Sequence, residues 1–163
     1  MSRKKRTIVV YHEELCMSCR SCELACSLSH TTSKNIYKAV EAQEKPARRR
    51  WMKTAPGIRV SLGCQHCIPA PCVQACISGA LYKGPDGETL HDAEKCVGCW
   101  MCMMVCSFGA IKRLKATHKI AKCDLCGMED DLACVQACPT KALKIHIVED
   151  EPDYANITES EDP

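Results

Sequence analysis

Sixteen cysteines fall into four quartets, and their spacing constrains this chain more than any other feature in it. Cys96, Cys99, Cys102 and Cys106 read C-x2-C-x2-C-x3-C, and Cys16, Cys19, Cys22 and Cys26 repeat that spacing. Cys64, Cys67, Cys72 and Cys76 read x2-x4-x3; Cys123, Cys126, Cys134 and Cys138 read x2-x7-x3. No cysteine is left over. Two intervening residues make a tight turn that points successive sulfurs into one concave space. Three intervening residues put the last sulfur about a helical turn beyond the third, aimed elsewhere. Gly98 stands where the backbone is expected to bend closest to whatever those sulfurs hold.

Three chemistries use cysteine at this density. Disulfide scaffolds belong to exported chains. Here Arg3-Lys4-Lys5-Arg6 is followed by only Ile8-Val9-Val10 before polar residues return, too short for the apolar part of an export signal. Zinc takes four ligands from two separated pairs, which leaves a third cysteine two residues on without a role. The C-x2-C-x2-C-x3-C run is instead the bacterial [4Fe–4S] pattern: three thiolates hold one cube, and in two-cluster ferredoxins the fourth cysteine ligates the neighbouring cluster. Four quartets therefore imply four [4Fe–4S] clusters bound by all sixteen cysteines. One Phe, two Trp and four Tyr leave a thin apolar core, and metal groups substitute for core in small scaffolds.

The formal charge of +2 counts the cysteines as neutral. Four oxidised clusters would move the total to about −6. Residues 1–60 hold 13 Lys and Arg against 5 Asp and Glu, whereas residues 147–163 hold seven acids and no base. No apolar stretch reaches the roughly 18 residues that a membrane helix needs, and with no export signal the expected location is cytoplasmic. No G-x-G-x-x-G occurs among the eight glycines, so no dinucleotide loop is expected. Nor does any Ser/His/Asp order suggest hydrolysis. Each quartet supplies a full set of thiolates, so no iron keeps an open position. No catalytic residue is expected, and two-electron chemistry must come from a catalytic partner.

Residues 7–12 are β-branched and short and read as a strand. Glu23–Leu28 read as a short helix carrying Cys26. Arg20 could raise a cluster potential or lie solvated, and His30 reads as a surface or helix-end group. Residues 31–58 form an insertion without cysteine whose run Lys45-Pro-Ala-Arg-Arg-Arg-Trp-Met-Lys53 could bind nucleic acid, dock a partner or lie solvated. Arg48, Arg49 and Arg50 with Trp51 make it the candidate docking surface, since Arg and Trp anchor interfaces most often. Arg59–Leu62 read as a strand. His66 reads as a hydrogen-bond donor beside the ligands or a solvent-facing group. Residues 79–83 and 88–91 flank Gly84-Pro-Asp-Gly87 as a hairpin. Trp100, Met101, Met103 and Met104 are expected to pack around a cluster and exclude water. Residues 109–112 and 116–121 read as strands, as do residues 142–147. A tail x-G/K-A-L/I repeats after Cys76, Cys106 and Cys138. Residues 149–163 read as disordered or as an arm on a partner.

The order of the quartets, with the text Cys-Arg-Ser-Cys-Glu-Leu-Ala-Cys and Cys-Val-Gly-Cys-Trp-Met-Cys, resembles the four-cluster ferredoxin-like electron-transfer subunits. These serve carbon monoxide dehydrogenase, formate dehydrogenase, hydrogenase, tungsten aldehyde oxidoreductase and molybdenum reductases. The resemblance covers residues 8–147 and looks most like the cytoplasmic carbon monoxide dehydrogenase type. It implies an α+β fold of two interleaved two-cluster modules, an outer one from 8–30 with 118–147 and an inner one from 59–113. The insertion 31–58 and an acidic tail, 148–163, lie outside them. Quartets pair first with fourth and second with third. One cluster then takes Cys16, Cys19, Cys22 and Cys138, and its neighbour Cys123, Cys126, Cys134 and Cys26. The third takes Cys64, Cys67, Cys72 and Cys106; the last takes Cys96, Cys99, Cys102 and Cys76. The implied partners are a catalytic redox subunit and a second electron donor or acceptor in a hetero-oligomer, with no nucleic acid and no membrane span. Family quartets often end Cys-Pro; only Cys138 does here, and the x7 gap is short.

Overall fold

In the computed structural model the described residues are 4–114, 117–128 and 132–150. The acidic residues 151–163 lie outside them, as does Ala116 of the expected strand 116–121. The strands form four separate antiparallel ribbons of two strands each. β1 (Lys4–Tyr11) pairs with β8 (Leu143–Asp150), so the first and last described segments lie side by side, Lys4 opposite Asp150 and Tyr11 opposite Leu143. β2 (Trp51–Ala55) pairs with β3 (Ile58–Leu62), β4 (Leu81–Lys83) with β5 (Thr89–His91), and β6 (Lys112–Leu114) with β7 (Lys119–Ala121). Short helices carry the cysteines: α1 (Ser21–Ser29), α3 (Pro71–Gln74), α4 (Met101–Met104) and α6 (Ala133–Gln136). α2 (Ile36–Glu41) lies in the insertion, and α5 (Leu125–Met128) is broken by left-handed backbone at Cys126 and Gly127.

Two apolar cores form, one for each pair of helices. α1 packs on α6, and α3 on α4. Val9, Cys22, Leu125, Leu132, Cys134 and Leu143 make the first core; Leu81, Cys102, Ile111 and Ile120 make the second. The repeated tail explains part of this pattern. Ala80, Ala110 and Ala142 are each 1% exposed, and Leu81, Ile111 and Leu143, which follow them, enter the cores. Gly79, Gly109 and Lys141 precede them in the left-handed region, at φ 64°, 56° and 54°. Their N–H groups donate to the carbonyls of Cys76, Cys106 and Cys138. Each turn thus closes a helix and swings the chain into the core.

The insertion is more ordered than its composition suggests. Asn35 caps α2, its side chain accepting from Tyr37 and Lys38 N–H, the usual remedy for free helix-start donors. β2 then forms a hairpin with β3, of which the sequence pattern indicates the β3 side alone. A buried polar hub joins the two cores. His66 Nδ1 accepts the N–H of Thr89 at 2.9 Å, and the Lys83 ammonium donates to the carbonyls of His66 and Cys67 and to Thr89 Oγ1. Lys122, 2% exposed, donates to the carbonyls of Thr89 and Cys123.

Gly98 is required for a second reason beside the one its place in the quartet suggests. A Cβ there would lie 2.5 Å from the carbonyl oxygen of His118, in the turn before β7, and φ is +70°. Gly109 has a similar φ, +56°, but open space around it. Gly109→Ala should cost about 1–2 kcal/mol for the left-handed conformation alone. Gly98→Ala should cost more, about 2–4 kcal/mol, because backbone must also move. Loss of visible absorbance during anaerobic guanidinium titration of the two variants checks the order.

Candidate metal centres

The residue before the second cysteine of every quartet is left-handed: Ser18, His66, Gly98 and Leu125, at φ 59°, 47°, 70° and 55°. The bend turns main-chain N–H groups toward sulfur. Ser18 N–H points at Cys16 Sγ and His66 N–H at Cys64 Sγ, both at 3.4 Å. The N–H of Leu125 likewise bears on Cys123.

The last cysteines of three quartets receive N–H groups from the repeated tail. Leu81 donates to Cys76 at 3.4 Å, Ala110 to Cys106 at 3.4 Å and Ala142 to Cys138 at 3.2 Å. Ser78 and Thr140 hydroxyls lie 3.8 Å from Cys76 and Cys138. Burial pushes the thiols of Cys76 and Cys138 up, but these donors outweigh it and leave both below the usual thiol value. The first quartet has no such tail, because α1 runs on past Cys26. Its donor comes from the insertion: Arg49 N–H reaches Cys26 Sγ at 3.2 Å. That thiol too ends below its usual value, burial being outweighed by His30 and by the Arg49 N–H. Burial wins at Cys22 and Cys102, raising both to about 11, and at Cys123, raising it to about 12.

Three cavities bring cysteines together, each combining three from one quartet with the last of another. Cys16, Cys19, Cys22 and Cys138 line one of them. Cys96, Cys99, Cys102 and Cys76 line the second. Cys64, Cys67, Cys72 and Cys106 line the third. The charges of Cys26 and Cys126 bear on Cys134, and Cys123, Cys126 and Cys134 share one core. Four thiols with apolar neighbours and main-chain donors aimed at sulfur suit an iron–sulfur cube, whose thiolate-bound core is anionic.

Several expected roles change. His66 is fully buried, which rules out the solvent-facing alternative. Burial, then Lys122 and Lys83, lowers it to about 3, so the ring is neutral; Nδ1 accepts from Thr89 and Nε2, which carries the proton, has no partner. His30 ends α1, as its position implied. Its ring donates to the Cys26 carbonyl at 2.6 Å and to Asp124 at 3.1 Å. Burial lowers its pKa, but Asp124 and Cys26 overcome this and raise it to about 10. Asp124 also accepts from Arg49. Despite burial, His30 and Arg49 hold that carboxyl well below the usual carboxylate range. Arg20 lies at the rim of the cavity of Cys16 and Cys138, exposed.

The basic run is not the free docking surface that its sequence suggested. Arg50 is 2% exposed, Trp51 is buried with Lys112 over its ring, and Arg49 is paired with Asp124. Only Arg48 of the three arginines is largely exposed, 3.7 Å from Glu23. Glu23, itself buried, accepts the N–H of Met52 and so fixes the start of β2. The expected packing of Trp100 and three methionines splits. Trp100 lines the cavity of Cys76 and Cys96 with Arg113 over its ring at 4.6 Å, and Met103 packs on the core. Met101 and Met104 are exposed, on the outer side of α4. Among the described residues no helix is long and apolar enough to cross a membrane.

Residues 57–148 match the 4Fe–4S dicluster domain family. The sequence is 34% identical over 158 residues to an iron–sulfur protein of Rhodospirillum rubrum, spanning 87% of this chain and 83% of that one. It is 31% identical over 139 residues to a subunit of the anaerobic dimethyl sulfoxide reductase of Escherichia coli, spanning 78% of this chain and 67% of that subunit. Among solved structures it is similar in fold to a subunit of the active site complex BamBC of benzoyl coenzyme A reductase, with a TM-score of 0.50 and 21% identity over 93% of this chain and 83% of that one.

Asp124 is the one carboxylate that His30 and Arg49 share. Asp124→Ala should leave both cations half-buried and unpaired, at a cost of about 2–4 kcal/mol. It should also loosen the Arg49 N–H from Cys26. Iron release in guanidinium should begin at lower denaturant than in the parent protein, and Asp124→Asn should fall between the two.

Proposed function

The protein belongs to the 4Fe–4S dicluster family of iron–sulfur electron-transfer subunits, and on that premise we propose that it relays single electrons through four [4Fe–4S] clusters between a catalytic redox subunit and a second electron carrier or enzyme. The observation that carries this reading is the grouping of the thiols in the three cavities. Each group is the complete ligand set of one cube, and each crosses between quartets as the family pattern implies. On this reading Cys16, Cys19, Cys22 and Cys138 hold one cluster and Cys123, Cys126, Cys134 and Cys26 its neighbour. Cys64, Cys67, Cys72 and Cys106 hold the third, and Cys96, Cys99, Cys102 and Cys76 the last. Each cluster, when bound, accepts and passes on one electron without a change of ligands.

The protein's own residues do the rest. Left-handed C-x2-C turns and the repeated tails aim N–H groups at thiolate sulfur, which stabilises charge on it. The outer module, 8–30 with 118–147, is supported by the packing of α1 on α6 and of β1 on β8, and the inner one, 59–113, by α3 on α4. With every thiol used and no catalytic residue of its own, the protein serves a catalytic subunit in a hetero-oligomer in the cytoplasm. The text around its ligands favours a carbon monoxide dehydrogenase-like partner. A second reading, a molybdenum or tungsten reductase, is favoured by the likeness to a dimethyl sulfoxide reductase subunit. Anaerobic co-purification from the native cell separates them by the partner's metal, nickel or molybdenum and tungsten. No nucleic-acid role is proposed, because the arginines it would need are buried or paired.

The protein purified anaerobically should hold about 16 iron and 16 acid-labile sulfide per chain, with little zinc. Zinc near two or four per chain without sulfide would sink the proposal. Cys26→Ser should perturb the cluster of Cys123, Cys126 and Cys134 and leave that of Cys16, Cys19, Cys22 and Cys138 intact. A structure of the loaded protein with Cys26 bound beside Cys16 would refute the crossing.

A further inference from the structure

Arg50 is the least explained charge in the molecule. It is 2% exposed, with no carboxylate partner among the described residues. Its Nη1 donates to Ser61 Oγ at 3.1 Å, and its Nη2 is buried without a hydrogen-bond partner among the described residues. The fold makes room for it: a Cβ on Gly63 would stand 2.6 Å from Nη2. A guanidinium stays charged at any pH that a protein meets, and burying it alone costs several kcal/mol. Something anionic must face it. Its charge bears on Cys22, Cys123 and Cys134, and it is within hydrogen-bond reach of Cys134. Cys22 lines one outer site, and Cys123 and Cys134 belong to the other.

We propose that Arg50 is a fixed cation shared by the two outer sites, which orients their thiolates and raises the potentials of both clusters together. This rests on the four-cluster reading above. The physical reason is direct. An added electron makes a site one charge more negative, with no bond made or broken and no proton moved. A buried cation stabilises that reduced form more than the oxidised one, most strongly where the surroundings are poorly polarisable. The N–H that Nη2 holds without a partner supplies the hydrogen bond to sulfur, a second influence on potential in the same direction. Arg50 is not among the main charges acting on Cys67, Cys72 or Cys102 of the other two sites.

The test is a redox titration of the anaerobic holoprotein, followed by electron paramagnetic resonance, for the parent, Arg50→Lys and Arg50→Gln, each with iron counted. The parent should hold about 16 iron; fewer would overturn the four-cluster reading itself rather than the role of Arg50. In Arg50→Gln with iron retained, two of the four potentials should fall together by a factor of about ten or more in the reduction equilibrium, about 59 mV for one electron. The other two should hold. Arg50→Lys keeps a charge but not the fork and should lower the same two by less. Four unchanged potentials with full iron would overturn the proposal. If Arg50→Gln sheds iron, Arg50→Lys and Ser61→Ala decide, since both keep a positive charge but loosen the guanidinium's hold. Lowered potentials at the same two clusters support the proposal, and unchanged potentials in both variants overturn it.

Discussion

Sulfur held away from water resists ionisation, and donors aimed at it are what the local backbone is shaped to supply. The left-handed residue in each C-x2-C and the left-handed residue at the head of each repeated tail serve this one need. Strand pairing and core packing follow from the second device, since the same turn that delivers an N–H to Cys106 or Cys138 sends Ile111 or Leu143 into a core. Where the device is missing, after Cys26, the chain reaches a sulfur donor through the insertion instead. The insertion is therefore part of the setting of Cys26 and not an appendage to it.

With so few aromatic side chains, the interior is held by charge and hydrogen bonds to an unusual degree. Lys122, Arg50, Glu23, Glu88 and His66 are all buried. Lys122 and Lys83 are bound to main-chain carbonyls, and Glu88 closes its own hairpin by accepting the N–H of Asp86. Buried cations of this kind are costly against apolar surroundings. Lys122 and Arg50 are made favourable by acceptors and thiolate sulfur facing them, so these two cations and the thiol groups belong to one design.

Much of this was legible in the sequence. The β-branched run near the start, the Gly-Pro-Asp-Gly hairpin and the helix that carries Cys26 follow from period and turn chemistry. So does the sorting of cysteines by quartet. The role of the insertion was not legible, because a run of arginines next to a tryptophan carries the composition of a surface. Nothing local says that Gly63 will leave room for Arg50, or that Asp124, far along the chain, will meet Arg49. Gly98 was legible in part: its left-handed bend beside Cys99 is where the quartet puts it, but its crowding against the His118 carbonyl is a contact only the fold brings near. Met101 and Met104 misled because four residues form a helix of a single turn, too short for one face to be inferred.

The pairing of β1 with β8 has a consequence in time. A ribosome adds about 5–20 residues per second, so the first quartet emerges on the order of ten seconds before the strand and helix it packs against. The second and third quartets meet their neighbours far sooner. Packing around the quartets thus has a natural order on the nascent chain, middle before ends. Oxygen arriving during synthesis would find Cys16, Cys19, Cys22 and Cys26 waiting longest as bare thiols.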